Sequence, residues 1–141
     1  MRRLRLIAIG VIIALSCGAL AVYWLWLPTA PPTSQVPQVT IRVVGHQWYW
    51  EFFVTDETGQ TSHTFGEATV QVGSHVNLIV TSTDIVYAFY IPELSLKLDV
   101  IPGHENTFSF AGPPVGDYAV KNAEFGEGSY LMVATLHVVP A

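Results

Sequence analysis

From Leu6 to Leu27 the chain carries no charged residue. As an α-helix, about 22 residues rising 1.5 Å each reach roughly 33 Å, the thickness of a bilayer's hydrocarbon core. The run therefore predicts one membrane-spanning segment within residues 1–27, and it leaves the rest of the chain to a single small domain on one side of the membrane. Arg2, Arg3 and Arg5 precede the run. The excess of basic residues in cytoplasmic flanks places the amino terminus in the cytoplasm, and everything after Leu27 outside it, periplasmic or extracellular, on a single-pass protein of the cell membrane. Tyr23, Trp24 and Trp26 close the run with an interfacial aromatic belt, which fits a retained anchor better than a cleaved signal peptide. Gly10, Ala14 and Gly18 recur every four residues, so small side chains line one helix face. Such a face lets a second membrane helix approach closely and is expected at a subunit interface.

Residues 28–37 hold four prolines, which cannot continue a helix and predict a stiff extended spacer. The domain then occupies 38–141. Its only basic side chains are Arg42, Lys97 and Lys121, set against all eleven acids of the chain. A surface that cannot neutralise phosphates excludes nucleic acid as a partner. The single cysteine, Cys17, lies inside the apolar run. It excludes an internal disulfide and removes thiolate from any metal site in the domain.

Short runs rich in Val, Ile, Thr and aromatic residues alternate with turn residues, which predicts an all-β antiparallel sandwich. The expected strands are Val39 to Val44, Trp48 to Thr55, Ala68 to Val72, His75 to Thr81, Thr107 to Phe110, Asp117 to Lys121 and Tyr130 to Val139. Glu57-Thr58-Gly59, Val72-Gly73-Ser74, Ile101-Pro102-Gly103 and Gly112-Pro113-Pro114 supply turns between them.

Three segments in this order carry more than a strand pattern: Gly45-His46-Gln47-Trp48-Tyr49-Trp50-Glu51-Phe52; Val80 through Leu94 followed by Lys97, Asp99 and Ile101-Pro102-Gly103; and Gly116-Asp117-Tyr118 leading into Asn122 through Tyr130. Together they resemble cytochrome c oxidase subunit II of the haem-copper oxidase superfamily. The resemblance implies a cupredoxin-like Greek-key β-sandwich on a single N-terminal transmembrane helix. It also implies that His46, Trp48, Tyr49 and Trp50 belong to the face turned towards the catalytic subunit.

Copper-bearing members of that family place a histidine where this chain has Tyr87. They continue with Cys-x-x-x-Cys-x-x-x-His-x-x-Met where it has Asn122, Gly126, Tyr130 and Val133. The resemblance therefore implies a divergent member lacking the binuclear copper (CuA) ligands, since neither asparagine nor glycine can supply a bridging thiolate. Met132 stands one residue from the methionine position, and that step turns a strand side chain to the opposite face. Tyr87 and Tyr130 are expected to fill the space a metal would take. Glu124 matches the family glutamate that reaches an interfacial magnesium ion, a hard cation suited to carboxylate oxygen. The five histidines show no pair at metal-ligand spacing, and of them only His46, in the aromatic block, is expected at an interface.

No catalytic residue and no cofactor are expected in this chain; haem, with copper or iron, is expected in a haem-bearing subunit I in the membrane. Without a copper relay, the resemblance points to a quinol-oxidising terminal oxidase in which this chain is a structural cap and anchor. Two alternatives are a subunit of a quinol-dependent nitric oxide reductase and a free-standing anchored cupredoxin-like binding or assembly module.

Overall fold

The computed structural model describes residues 36–126 and 128–141. The expected anchor, the spacer up to residue 35 and the stripe of Gly10, Ala14 and Gly18 lie outside the described residues. Among those described, no helix is long and apolar enough to cross a membrane.

Ten strands follow one another: β1 (Gln38–His46), β2 (Tyr49–Thr55), β3 (Thr61–Phe65), β4 (Glu67–Gln71), β5 (His75–Ser82), β6 (Tyr87–Ile91), β7 (Leu96–Val100), β8 (Asn106–Ala111), β9 (Gly116–Asn122) and β10 (Val133–Val139). Short 3-10 turns occupy Pro92–Leu94 and Ser129–Leu131. The strands form two five-stranded sheets, in the orders β3-β2-β1-β5-β8 and β4-β10-β9-β6-β7. Most neighbours are antiparallel, but β1 runs parallel to β5 and β10 parallel to β4. The amino-terminal strand thus pairs with one far along the chain, as crossing connections between two sheets require, and the architecture is the expected cupredoxin-like sandwich.

The period of two decides which side chains enter the core. In β5, Val76, Leu78, Val80 and Ser82 are buried while the residues between them are half-exposed. In β10, Ala134, Leu136 and Val138 turn inward in the same way. With Ile41, Val43, Trp50, Phe52, Phe89, Ile91 and Val120, the apolar residues among these form one continuous core between the sheets. The largest fully buried side chain is Trp50, followed by Tyr87.

Three strands were not expected from the sequence. The residues of β3, Thr61 to Phe65, are mostly exposed because the strand lies at a sheet edge, so no apolar alternation marks it. The β6 strand has four of its five residues buried, which hides the period of two. In β7 the run ends in Asp99-Val100 and is only five residues long. The strand expected from Tyr130 starts later, at Val133, because Ser129–Leu131 closes a 3-10 turn first.

Candidate functional site

One pole of the sandwich gathers the end of β1, the start of β2, the loop between β5 and β6, and the loop after β9. These are the elements that carry the three segments singled out in the sequence. The pole holds an open cavity of about 270 Å³ whose walls include Trp48, Val86, Tyr87, Asn122, Glu124 and Ser129.

Tyr87 is its centre. The ring is 1% exposed and meets Trp50 edge-on at 5.8 Å, while Trp50 in turn meets Phe89 at 5.5 Å. Such edge-to-face pairs match the positive ring edge to the negative face. Room for the phenol ring comes from Gly45. A Cβ there would stand 2.6 Å from Tyr87 Cδ2 and 3.2 Å from Trp50 Cζ3, so any larger residue forces the core apart. The phenol hydroxyl donates to Asp84 Oδ1 at 2.7 Å. Burial and this bond to a carboxylate both push the phenol's pKa up, far from ionisation at neutral pH.

Asp84 organises the loop around it. Its Oδ1 also accepts from the Ile85 amide at 2.7 Å, and its Oδ2 accepts from the Gln47 amide at 2.8 Å, joining the β5–β6 loop to the β1–β2 turn. Partial burial alone would raise the Asp84 pKa, but the bonds from Tyr87, Ile85, Gln47 and Ser82 outweigh it and hold the carboxyl below the ordinary range. Asn122, at the end of β9, turns its Oδ1 to two backbone amides, those of Ala88 at 2.9 Å and Glu124 at 3.0 Å. Its side chain is thereby committed to the backbone of both flanking segments. Trp48 lies flat over Gly128, where the backbone has φ +80° and a Cβ would collide with the indole. The peptide bond between Gln47 and Trp48 is cis.

Several residues stand elsewhere than expected. Tyr130 is 77% exposed and fills no interior space, because the 3-10 turn that carries it lies outside the sandwich. Of the Met132 and Val133 pair, Val133 is the outward residue, 57% exposed, and Met132 is fully buried. The strand alternation is as expected, but its phase places Met132 on the core side, where its carbonyl accepts from Trp50 Nε1 at 3.3 Å. Trp50, expected at an interface with Trp48 and Tyr49, is wholly inside the core. Tyr49 is 43% exposed and Trp48 half-buried, so these two do reach the surface. Glu124 and Gly126 are exposed on the loop. Among the described residues no group of three or more His, Cys, Asp or Glu is arranged to hold a metal.

Sequence reasoning missed one cluster on the outer face beside the pole. Glu51 receives His46 Nε2 at 2.8 Å and His63 Nε2 at 2.7 Å, one on each carboxylate oxygen. His46 stacks on Tyr49 at 4.8 Å and His63 on Phe53 at 4.5 Å, while Thr83 Oγ1 lies 2.9 Å from His46 Nδ1. Burial would raise the Glu51 pKa, but the two histidine bonds outweigh it and the carboxyl sits below its ordinary value. The signal lay in pairing rather than spacing: Glu51 stands opposite Phe65 on β3, and His63 opposite Phe53 on β2. Nothing in the linear sequence aligns β2 with a strand whose existence it conceals.

The described residues thus form a cupredoxin-like sandwich whose one pole joins an aromatic block, a buried ring and the loop after the penultimate strand. The model of the family described as cytochrome c oxidase subunit II, periplasmic domain, matches residues 63–128. The chain is 30% identical to cytochrome c oxidase subunit 2 of Branchiostoma floridae over 125 residues, covering 74% of this chain and 54% of that protein. It is 27% identical to the same subunit of Myxine glutinosa over 124 residues, with the same coverage. The chain thus spans about half the length of these curated relatives. The solved periplasmic domain of subunit II of cytochrome oxidase (CoxB) of Bradyrhizobium japonicum superposes with a TM-score of 0.60 at 26% identity, covering 79% of this chain and 88% of that one. A heme-copper terminal oxidase dimer structure shares the fold, with a TM-score of 0.61 at 21% identity, over 94% of this chain and 96% of the other. The chain belongs to the cytochrome c oxidase subunit II family.

Proposed function

We propose that this chain is a non-copper subunit II: a structural cap, anchored in the membrane and facing the extracytoplasmic side, on the haem-bearing subunit I of a quinol-oxidising terminal oxidase. The observation that carries the reading is the chemistry of the pole. Tyr87 stands in place of the family's histidine, and its phenol is buried and hydrogen-bonded to Asp84. Asn122 stands in place of the first thiolate and has its oxygen committed to two backbone amides. Binuclear copper needs soft bridging thiolates, and residues 38–141 contain no cysteine. The thioether of Met132, buried on the core side, is a single soft donor without the partners such a centre requires. This donor set does not fit copper, and no electron-transfer step is assigned to the chain.

What the pole offers is a surface. Ile85, Val86, Phe125 and Leu131 are exposed apolar side chains on its two loops, with Phe125 98% exposed. Exposed apolar patches with polar surroundings are the usual mark of a protein or membrane contact. A rigid lid that docks through these loops on subunit I, shielding the haem region from water, makes use of them without any metal. Glu124, exposed on the same rim, is available to a hard cation shared with that partner.

The test is quinol-driven gas consumption by the complex that co-purifies with the full chain in mild detergent, together with its metal content. Oxygen uptake by a haem-containing complex, with no thiolate-copper absorption from this subunit, is the expected result. Nitric oxide uptake in its place, recovery of the chain without a haem partner, or a stoichiometric copper-thiolate signal each rejects the reading.

A further inference from the structure

We propose that the domain pairs with a second copy of itself through the free edge of β8, joining two sheets into one across a two-fold axis. The pairing is independent of any role in a redox complex.

The two sheets end in four edge strands, β3, β8, β4 and β7. Edges of natural sheets carry charges or prolines that keep foreign strands from adding to them. Three of the four do so: β3 holds His63, β4 holds Glu67, and β7 holds Lys97 and Asp99. The run Asn106-Thr107-Phe108-Ser109-Phe110-Ala111 of β8 has neither charge nor proline. Its backbone pairs with β5 on one side. Among the described residues no other segment makes a backbone hydrogen bond to it, so its second row of amides and carbonyls is free to receive a strand.

Phe108 shows what such a strand would cover. It stands opposite Leu78, and residues opposite one another in a ladder share a face, so both side chains point towards the second sheet. Yet Leu78 is 2% exposed and Phe108 is 44% exposed. The second sheet ends short of β8 and leaves this ring uncovered. Phe110, stacked on Phe108 at 6.1 Å, is half-buried against the core and extends the same apolar strip.

Charge identifies the occupant. The domain sets three basic side chains, Arg42, Lys97 and Lys121, against eleven acids, so most of its surface repels another copy. The edge of β8 lacks that repulsion. The carboxylate that precedes the strand, Glu105, is tied to Arg42 at 2.6 Å. Antiparallel pairing lays the Glu105 end of each copy against the uncharged Ala111-Gly112-Pro113 end of the other, so like charges do not meet. A two-fold axis makes both halves of the contact identical. In registers centred on Phe108 or on Ser109, Phe108 meets Phe108 or Phe110 of the second copy, an aromatic cross-strand pair that covers the overhanging ring.

The test is native mass spectrometry of the full chain in mild detergent, with Phe108→Glu, Phe108→Lys and an equimolar mixture of the two. The natural chain should be a dimer. Each charged variant places like charges at the axis and should weaken the dimer at least about tenfold, with an unchanged circular dichroism spectrum. The mixture should recover mixed dimers, because opposite charges then meet. Thr107→Lys, exposed on the other face of the same strand, should weaken the dimer as well and gives a second reading should a Phe108 variant fail to fold. A monomeric natural chain, a dimer that Phe108→Glu or Thr107→Lys leaves intact, or folded variants that form no mixed dimer each overturns the proposal.

Discussion

The two poles of the sandwich are built on opposite plans. Around Tyr87 a large buried ring fills the interior beneath that pole's cavity, and the polar groups that hold the ring and its loops are paired: the phenol with Asp84, Asp84 with two backbone amides, Asn122 with two more. Around Ser74 the space is open, walled by valines and threonines, and it leaves a buried hydroxyl unpaired. At the pole of Tyr87, the two largest fully buried side chains, Trp50 and Tyr87, and a hydrogen-bond network fill the interior. At the other end, a cavity of about 390 Å³ lies among the ends of β2, β4 and β10. Interiors packed to crystal-like density tolerate little change, while open sites tolerate much, so the comparison makes graded predictions.

Removing the ring that supports the filled pole should cost most. Trp50→Ala leaves a cavity beneath Tyr87 and Phe89 and should destabilise by about 3–5 kcal/mol, read from chemical denaturation followed by circular dichroism. A loss below about 1 kcal/mol would mean the pole is not packed around Trp50.

Next comes overpacking. Gly45→Ala drives a methyl into the Tyr87 ring and should cost about 1–3 kcal/mol. In the double variant Gly45→Ala/Tyr87→Leu the penalties should add to less than their sum, since the smaller side chain vacates the contact. Strict additivity would separate Gly45 from the filling of the pole.

A smaller effect belongs to the edge of that pole. Because the folded state lowers the Glu51 pKa, its contribution is fully present above the ordinary carboxylate value of 4.5 and is lost as pH falls through the depressed folded value. Denaturation midpoints measured between neutrality and pH 3 should fall more for the natural chain than for Glu51→Gln. Parallel curves would remove Glu51 from the acid response.

Least of all should happen at the open pole. Ser74→Ala removes a hydroxyl that has no partner in the fold, so stability should stay within about 0.5 kcal/mol or rise slightly. A loss above about 1 kcal/mol would show that the hydroxyl makes an interaction within the fold.

Much of this architecture was legible in the chain. Alternation in His75 to Thr81 and in the second half of Tyr130 to Val139 marks strands with one buried face, and those strands form. Motif order singles out Tyr87 and Asn122, and both line the cavity at one pole. Edge strand β3 was illegible because an exposed edge needs no apolar period, and with it went the pairing that brings His63 to Glu51. The facing of Met132 and Val133 was illegible too, since a 3-10 turn sets the phase of the strand that follows.

The sequence by itself determined the kind of chain this is: a long uncharged run ahead of a β-rich domain, with no thiolate in that domain to bridge two metals. Side-chain chemistry is a local property, and a missing sulfur is missing in any fold. Only the tertiary structure decided which residues share a site, because that depends on register between strands far apart in the chain. It decided that Tyr87 rests on Gly45, that Asp84 ties two loops together, that one carboxylate holds two histidines, and that the far pole stays open.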